Sequence, residues 1–371
     1  MLAGVLFYYA ASSQVVWLLL IAYWVAALVV AAFFYTLWNR GVNLHVKRVA
    51  IVRNKGLAHV EPPEAVTRDE TFEGDSIRTE FALVTRGGTR GPARISGKVG
   101  VFALSMAAGV VRKDGWRERK VQGPLRRGPV TMTEWKMVLG DPLGLFGTQT
   151  TGPNQELELV LPRFATLRMR SQARELEATV TAQRAGSGTE IFGVREYRPG
   201  DALRRIHWRS SARRGELIVR EFEPPGVQSL GIFCDPKPAS PEAADQVARL
   251  AASEAWDCLR AGGRVTLWAP GCEPSRPDEE RNMVALLEWL ARYPLPAERG
   301  GDQAGGDVAA STPPPPPMSD AVAITTTSDP RLLDALEMVR VRGGSARAWV
   351  VGEAQLALDV PVERAGFGWP L

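Results

Sequence analysis

The sequence predicts a multi-domain α+β protein in three parts: an N-terminal transmembrane helix, an antiparallel β-sandwich, and an α/β domain built on a parallel sheet. Three observations carry that reading. Residues 1–40 hold a long run without charge, residues 41–167 alternate apolar and polar positions with period two between Gly- and Pro-rich turns, and residues 226–371 alternate short apolar runs with helical patterns. With 371 residues, 45% hydrophobic and 23% charged, the chain supports one large domain or roughly two to three ordinary ones, which excludes disorder throughout.

The membrane element comes first. No charged side chain occurs from Leu2 to Trp38, and Val15 to Trp38 is almost all apolar. At about 1.5 Å per residue such a helix covers roughly 36 Å, enough for a bilayer core of about 30 Å. Trp17, Trp24, Phe33, Phe34, Tyr35 and Trp38 place aromatics near both ends, as an interfacial belt requires. Arg40, Lys47, Arg48, Arg53 and Lys55 then follow with no acid among them, so the positive-inside rule puts the bulk of the chain in the cytoplasm, at the cell membrane. A cleaved signal peptide is disfavoured by the missing basic n-region and the length of the run. Leu2 to Ala11 is too short to span alone and reads as an interfacial segment or the remnant of a first span in a hairpin. Cys234, Cys258 and Cys272 show no C-x-x-C spacing, which suits a reducing compartment.

From Val42 to Leu167, runs such as Ile77 to Val84 and Ile95 to Phe102 alternate, as in an antiparallel, immunoglobulin-like sandwich. Gly87-Gly88, Gly91-Pro92, Asp114-Gly115 and Gly128-Pro129 are the expected turns. Asp141-Pro142-Leu143-Gly144-Leu145-Phe146 is expected to tuck a loop hydrophobe back into the core.

Residues 168–225 form a distinct segment. The net charge is only +4, but eight Arg between Arg195 and Arg220 stand against Glu196, Asp201 and Glu216. Outside this spot and the Arg40–Lys55 spot the chain is net acidic. The segment includes R-E-Y-R-P-G-D at 195–201, I-H-W at 206–208, S-A-R at 211–213, G-E-L at 215–217 and V-R-E-F at 219–222. Together with the arrangement from Arg126 to Phe146 and the V-L-P-R of Val160 to Arg163, it resembles the signature of the bacterial domain of unknown function 58 family. The resemblance extends over most of the chain. It implies two N-terminal membrane spans, a β-sandwich, the signature segment and a C-terminal von Willebrand factor A-like domain. It also implies a partnership with a MoxR-type AAA+ ATPase, and it supplies no reaction.

The signature positions Arg195, Glu196, Tyr197, Pro199, Gly200, Asp201, Arg204, Arg205, His207, Trp208, Ser211, Arg213, Glu216, Arg220 and Glu221 are candidates for a binding or interdomain surface. Pro199-Gly200-Asp201 reads as a turn whose Asp caps a short helix over 202–212, with Arg205 and Arg209 on one side and Ile206 and Trp208 anchoring it. Leu217, Val219 and Phe222 read as a strand. Arg195, Arg204 and Arg220 either pair with Glu196, Asp201, Glu221 and Glu223 to lock the segment, or join an exposed surface for an acidic partner or anionic lipid. No recognised nucleic-acid module occurs, so nucleic acid is not an expected partner. Gly186, Gly188 and Gly193 match neither a dinucleotide nor a Walker A loop and read as a flexible connection. An enzyme reading, a hydrolase using Asp201, His207 and Ser210, lacks a recognisable motif; His207 reads better as a packed ring.

In the C-terminal domain, Ser229–Cys234, Arg264–Ala269, Ala321–Thr325 and Ala346–Val351 are expected strands, and Pro241–Ala261, Asp278–Arg292 and Pro330–Val341 helices. Residues 297–318, Gly-rich and then Pro-rich, read as a disordered linker. A von Willebrand A-type metal site uses D-x-S-x-S after the first strand. Here Asp235-Pro236-Lys237-Pro238-Ala239 puts Lys237 and Ala239 where hydroxyls belong, so Asp235 is a degenerate metal-site position and no metal or other cofactor is expected. The run Thr325 to Asp329 reads as a helix cap. The expected function is a non-catalytic scaffold or adaptor in the lipid bilayer, working with a MoxR-type ATPase and possibly with other membrane proteins.

Overall fold

A computed structural model describes residues 16–54, 70–85, 87–167, 191–196, 211, 215–222, 229–294, 318, 320–352 and 359–367, with a few positions before 16. The chain divides into two compact units, the first ending at Leu161 and the second running on from Pro162.

The first unit opens with α1 (Val16–Trp38), 23 residues long and free of charge at both ends. It is long and apolar enough to cross a bilayer. Most of its large side chains, among them Trp17, Leu20, Trp24, Phe34 and Trp38, face outward, and only Ala22, Ala32 and Thr36 are buried. The segment Leu2–Ala11 lies largely outside the described residues.

Among the described residues nine strands follow: β1 (Val42–Val52), β2 (Thr71–Phe72), β3 (Ser76–Thr85), β4 (Ala93–Val99), β5 (Phe102–Ala108), β6 (Trp116–Gln122), β7 (Gly128–Gly140), β8 (Gly147–Thr151) and β9 (Gln155–Leu161). One sheet has the order β1-β3-β6; the other runs β2-β9-β7-β4-β5, with β8 also paired to β7. Pairing is antiparallel except between β2 and β9. Alternation in β3 turns Ile77, Phe81 and Leu83 inward, where they share one core with Ile95, Met132, Met137 and Leu139 of the second sheet. Two sequence expectations change here. Gly128-Pro129 is no turn: it opens β7, pairing with Val160 and Leu159, a place near a strand start where a proline is tolerated. The loop 141–146 does not tuck into the core, because Leu143, Leu145 and Phe146 are all exposed.

In the second unit, β10 (Ile191–Glu196) pairs antiparallel with β11 (Ile218–Phe222). Gly193 therefore lies in a strand and not in a flexible connection. The ladder shifts register between Ile191 and Gly193, as at a bulge. A five-stranded sheet has the order β13 (Arg264–Trp268), β12 (Ser229–Cys234), β14 (Asp320–Thr325), β15 (Ser345–Val351) and β16 (Val362–Ala365). All its neighbours are parallel. The helices are α2 (Pro241–Arg260), α3 (Met283–Arg292) and α4 (Pro330–Val341). Leu332, Ala335, Leu336 and Val339 of α4 pack on Phe233, Trp268, Ala321 and Ala323, one face of the sheet. On the opposite face, Glu254 of α2 receives Arg347 Nη2 at 2.6 Å and Trp349 Nε1 at 2.8 Å from β15. Helices thus cover both faces, as a parallel sheet needs.

The helix expected over 278–292 is split. A 3₁₀ turn occupies Pro277–Glu279, and α3 starts afresh where Asn282 accepts from the amides of Val284 (3.1 Å) and Ala285 (3.4 Å). Residues 162–167 follow α2, with the amide of Ala165 donating to Ser253 Oγ and that of Leu167 to Asp257 Oδ2, both at 3.1 Å. Residues 297–317 lie outside the described residues.

Candidate functional site

In chain order the parallel sheet runs 2-1-3-4-5, counting β12 as the first strand. From β12 the chain crosses to β13 on one side and then returns to β14 on the other. The direction of winding reverses between β12 and β14, and ligands in open α/β sheets bind at the carboxyl ends of the strands flanking such a reversal. Two loops meet there: Asp235 directly after β12, and Thr325-Thr326-Thr327 at the end of β14.

Asp235 is fully buried. Its Oδ2 accepts from Thr325 Oγ1 at 3.2 Å, Thr326 N at 2.8 Å, Thr326 Oγ1 at 2.7 Å, and Thr327 N and Oγ1 at 3.1 Å each. Its Oδ1 accepts from the amide of Lys237 at 2.8 Å. The backbone is held as well: the Asp235 amide donates to Ile324 O at 3.0 Å, and its carbonyl accepts from the Tyr293 hydroxyl. Thr326 Oγ1 in turn accepts from the Ala239 amide at 3.0 Å, closing a ring between the two loops.

A carboxylate here is a natural seat for a hard cation, yet five donors converge on one oxygen and the sixth takes the other. The amides and hydroxyls of Thr326 and Thr327 occupy the directions along which a divalent ion would approach Oδ2, while the Thr325 hydroxyl also reaches Thr327 O. The residues therefore do not fit a metal centre of the D-x-S-x-S type. Lys237, which stands where a metal-site hydroxyl belongs, is exposed, and it is its backbone amide that meets the carboxylate. Among the described residues no group of three or more His, Cys, Asp and Glu side chains could hold a metal.

The run Thr325 to Asp329 caps a helix as expected, through its last residue: Asp329 Oδ1 accepts from the Arg331 amide at 2.9 Å at the start of α4. The hydrogen bond from the Arg331 side chain, followed by the amide bonds, outweighs burial and holds the Asp329 carboxyl below the ordinary range. The three threonines join the sequence-flagged Asp235 instead. Their position immediately after an apolar strand was the available signal, but the adjacency of β12 and β14 was not readable locally.

Of the signature positions, Arg195 and Glu196 lie in β10 opposite Val219 and Ile218, while Arg220 and Glu221 lie in β11 opposite Val194 and Gly193. Ser211 is buried and Glu216 exposed. Tyr197, Pro199, Gly200, Asp201, Arg204, Arg205, His207, Trp208, Ser210 and Arg213 lie outside the described residues, and with them both the Arg surface and the Asp201, His207, Ser210 set.

Residues 193–307 match the family described as protein of unknown function DUF58, a stretch running from β10 past α3. An uncharacterised protein of Bacillus subtilis (strain 168), YeaD, is 35% identical over 95 residues. That alignment covers 26% of this chain and 22% of the relative's length.

Proposed function

We propose that this chain, whose residues 193–307 match the DUF58 family, is a non-catalytic, membrane-anchored scaffold or adaptor working with a MoxR-type AAA+ ATPase. In this reading α1 spans the cytoplasmic membrane, both units face the cytoplasm, the two-sheet unit is a β-sandwich, and the parallel-sheet unit is a metal-free relative of von Willebrand A domains. The observation that carries it is the Asp235 site. At the sheet reversal, where a ligand or metal would react, the carboxylate is engaged by donors of its own chain. That favours a preformed binding face over a reaction centre. The choice of ATPase rests on family analogy.

Two measurements test this. Affinity purification of the tagged full chain from detergent-solubilised membranes with ATP present should recover an AAA+ ATPase, and repeated absence of any such protein would refute the partnership. Excess Mg²⁺ should leave the melting temperature of the purified chain unchanged. A stabilisation by Mg²⁺ that disappears in Asp235→Ala would refute the metal-free reading.

A further inference from the structure

The loop 141–146 joins β7 to β8 and is built to hold one shape. Asp141, almost wholly buried, accepts from the amides of Leu143 at 2.7 Å and Phe146 at 2.6 Å. Its own amide donates to Phe146 O at 3.1 Å, and Gly144 takes φ +73° at the tip. Burial of Asp141 works against its charge, but the amides of Phe146, Leu143 and Leu145 together hold its carboxyl below the ordinary range. This rigid frame points apolar groups outward: Leu143 is 55% and Leu145 53% exposed.

The frame is fixed to the end of α1. Asn39, just past the helix, donates from Nδ2 to Gly140 O at 2.8 Å and to Gly91 O at 3.2 Å, and its Oδ1 accepts from the Gly91 amide at 2.8 Å. The Tyr35 hydroxyl donates to the same Gly91 carbonyl at 2.8 Å. The Phe146 ring stands edge-on to Phe33 of α1, centroids 5.7 Å apart. Phe33 precedes Trp38 by five positions, about 7.5 Å along a helix axis at about 1.5 Å per residue. The loop therefore lies beside the apolar helix, level with its last turns and not beyond its end. Arg90, whose guanidinium covers the Trp38 ring at 5.4 Å, supplies a cation at the same level.

We propose that the loop 141–146 is a second membrane contact, inserting Leu143, Leu145 and Phe146 into the headgroup–acyl boundary beside α1. The proposal rests on α1 being a membrane span. A helix-fixed loop at that level has lipid as its neighbour, and exposed leucines on a loop braced by a buried carboxylate are the side chains that lipid accepts. Together with the Asn39 clamp, the contact would hold the two-sheet unit in one orientation on the bilayer.

The test uses the full chain in vesicles of phosphatidylcholine and phosphatidylglycerol, with Cys272→Ser to remove the one cysteine that is not buried. An environment-sensitive fluorophore is attached at Leu145→Cys, at Leu28→Cys within α1, or at Val101→Cys. Val101, 82% exposed, lies in the β4–β5 turn at the far end of the strand that starts beside Gly91. Lipids carrying a spin label on the acyl chain should quench the Leu145 and Leu28 labels several-fold more than the Val101 label, and aqueous iodide should show the reverse order. Leu28 quenched by lipid with Leu145 behaving like Val101 overturns the loop contact alone. Neither label quenched by lipid overturns the anchor, and the loop contact with it. A Leu145 label shielded from both quenchers means that protein covers the loop, which also overturns the proposal.

Discussion

At the scale of single residues, Asp235 is the group on which the parallel-sheet unit depends most visibly. Removing its carboxylate takes away the acceptor shared by the Thr326 amide and hydroxyl, the Thr327 hydroxyl and the Lys237 amide, and unsatisfied partners of a charged acceptor cost more than the bond itself contributed. Asp235→Ala is expected to lower the unfolding free energy by roughly 3 kcal/mol. Asp235→Asn should cost less, because it can keep an oxygen toward the threonines and loses mainly the Lys237 amide bond. Denaturant unfolding of the detergent-solubilised chain ranks the variants; equal stability of Asp235→Ala and the parent would contradict the geometry. Asp235 was visible in the sequence as a carboxylate at a strand end. Its partners were not, since Thr325 to Thr327 stand some ninety positions away and meet it only because β14 inserts next to β12.

Among elements, the prediction of type succeeded where period and caps agreed and failed where a local side chain intervened. The strand Ser229–Cys234 and the helix Pro330–Val341 emerged as read, whereas Asn282 restarted a helix that apolar spacing had run through. Asp329 shows how a cap adds a pH dependence. Its carboxyl is depressed in the folded chain, so its stabilisation is present above the unfolded pKa and is lost as pH falls through the acid range below about 4. Asp329→Ala should cost about 1 kcal/mol near neutral pH. Asp329→Asn should retain most of the cap while removing its share of the acid sensitivity, as melting curves at neutral and acid pH will show. A second element-scale case is the bulge in β7. Ser96 pairs with Lys136 and Lys98 with Thr133, so Glu134 and Trp135 share the space opposite Gly97, and Glu134 takes φ +52°. A Cβ on Gly97 would lie 2.8 Å from Trp135 Cα. Gly97→Ala should therefore destabilise the two-sheet unit by about 1–3 kcal/mol in the same assay, the cost of overpacking against backbone.

For the whole molecule, charge does different work before and after folding. The five cations after α1 read from the sequence as a topology signal, and among them Lys47, Arg48 and Arg53 now face Glu80 at 3.5 Å, Glu158 at 2.8 Å and Asp75 at 3.1 Å. Those acids belong to β3, β9 and the turn before β3, later parts of the chain; in the proposed topology they are not yet paired with these cations when α1 inserts. The positive-inside rule acts on that earlier state, so later neutralisation does not cancel it. The proposed orientation is therefore read from the local run of cations even though three of them meet acids in the fold, and that pairing needed the tertiary fold. The prediction concerns the side of the membrane. In spheroplasts of an expressing bacterium, a membrane-impermeant maleimide should leave Val101→Cys, in the Cys272→Ser background, unlabelled. In inside-out vesicles from the same cells it should label fully, because Val101 is exposed on the first unit. Labelling in intact spheroplasts would place that unit outside the cell and reverse the proposed topology, and Arg40→Gln with Lys55→Gln should increase any such misoriented fraction by weakening the signal that precedes folding.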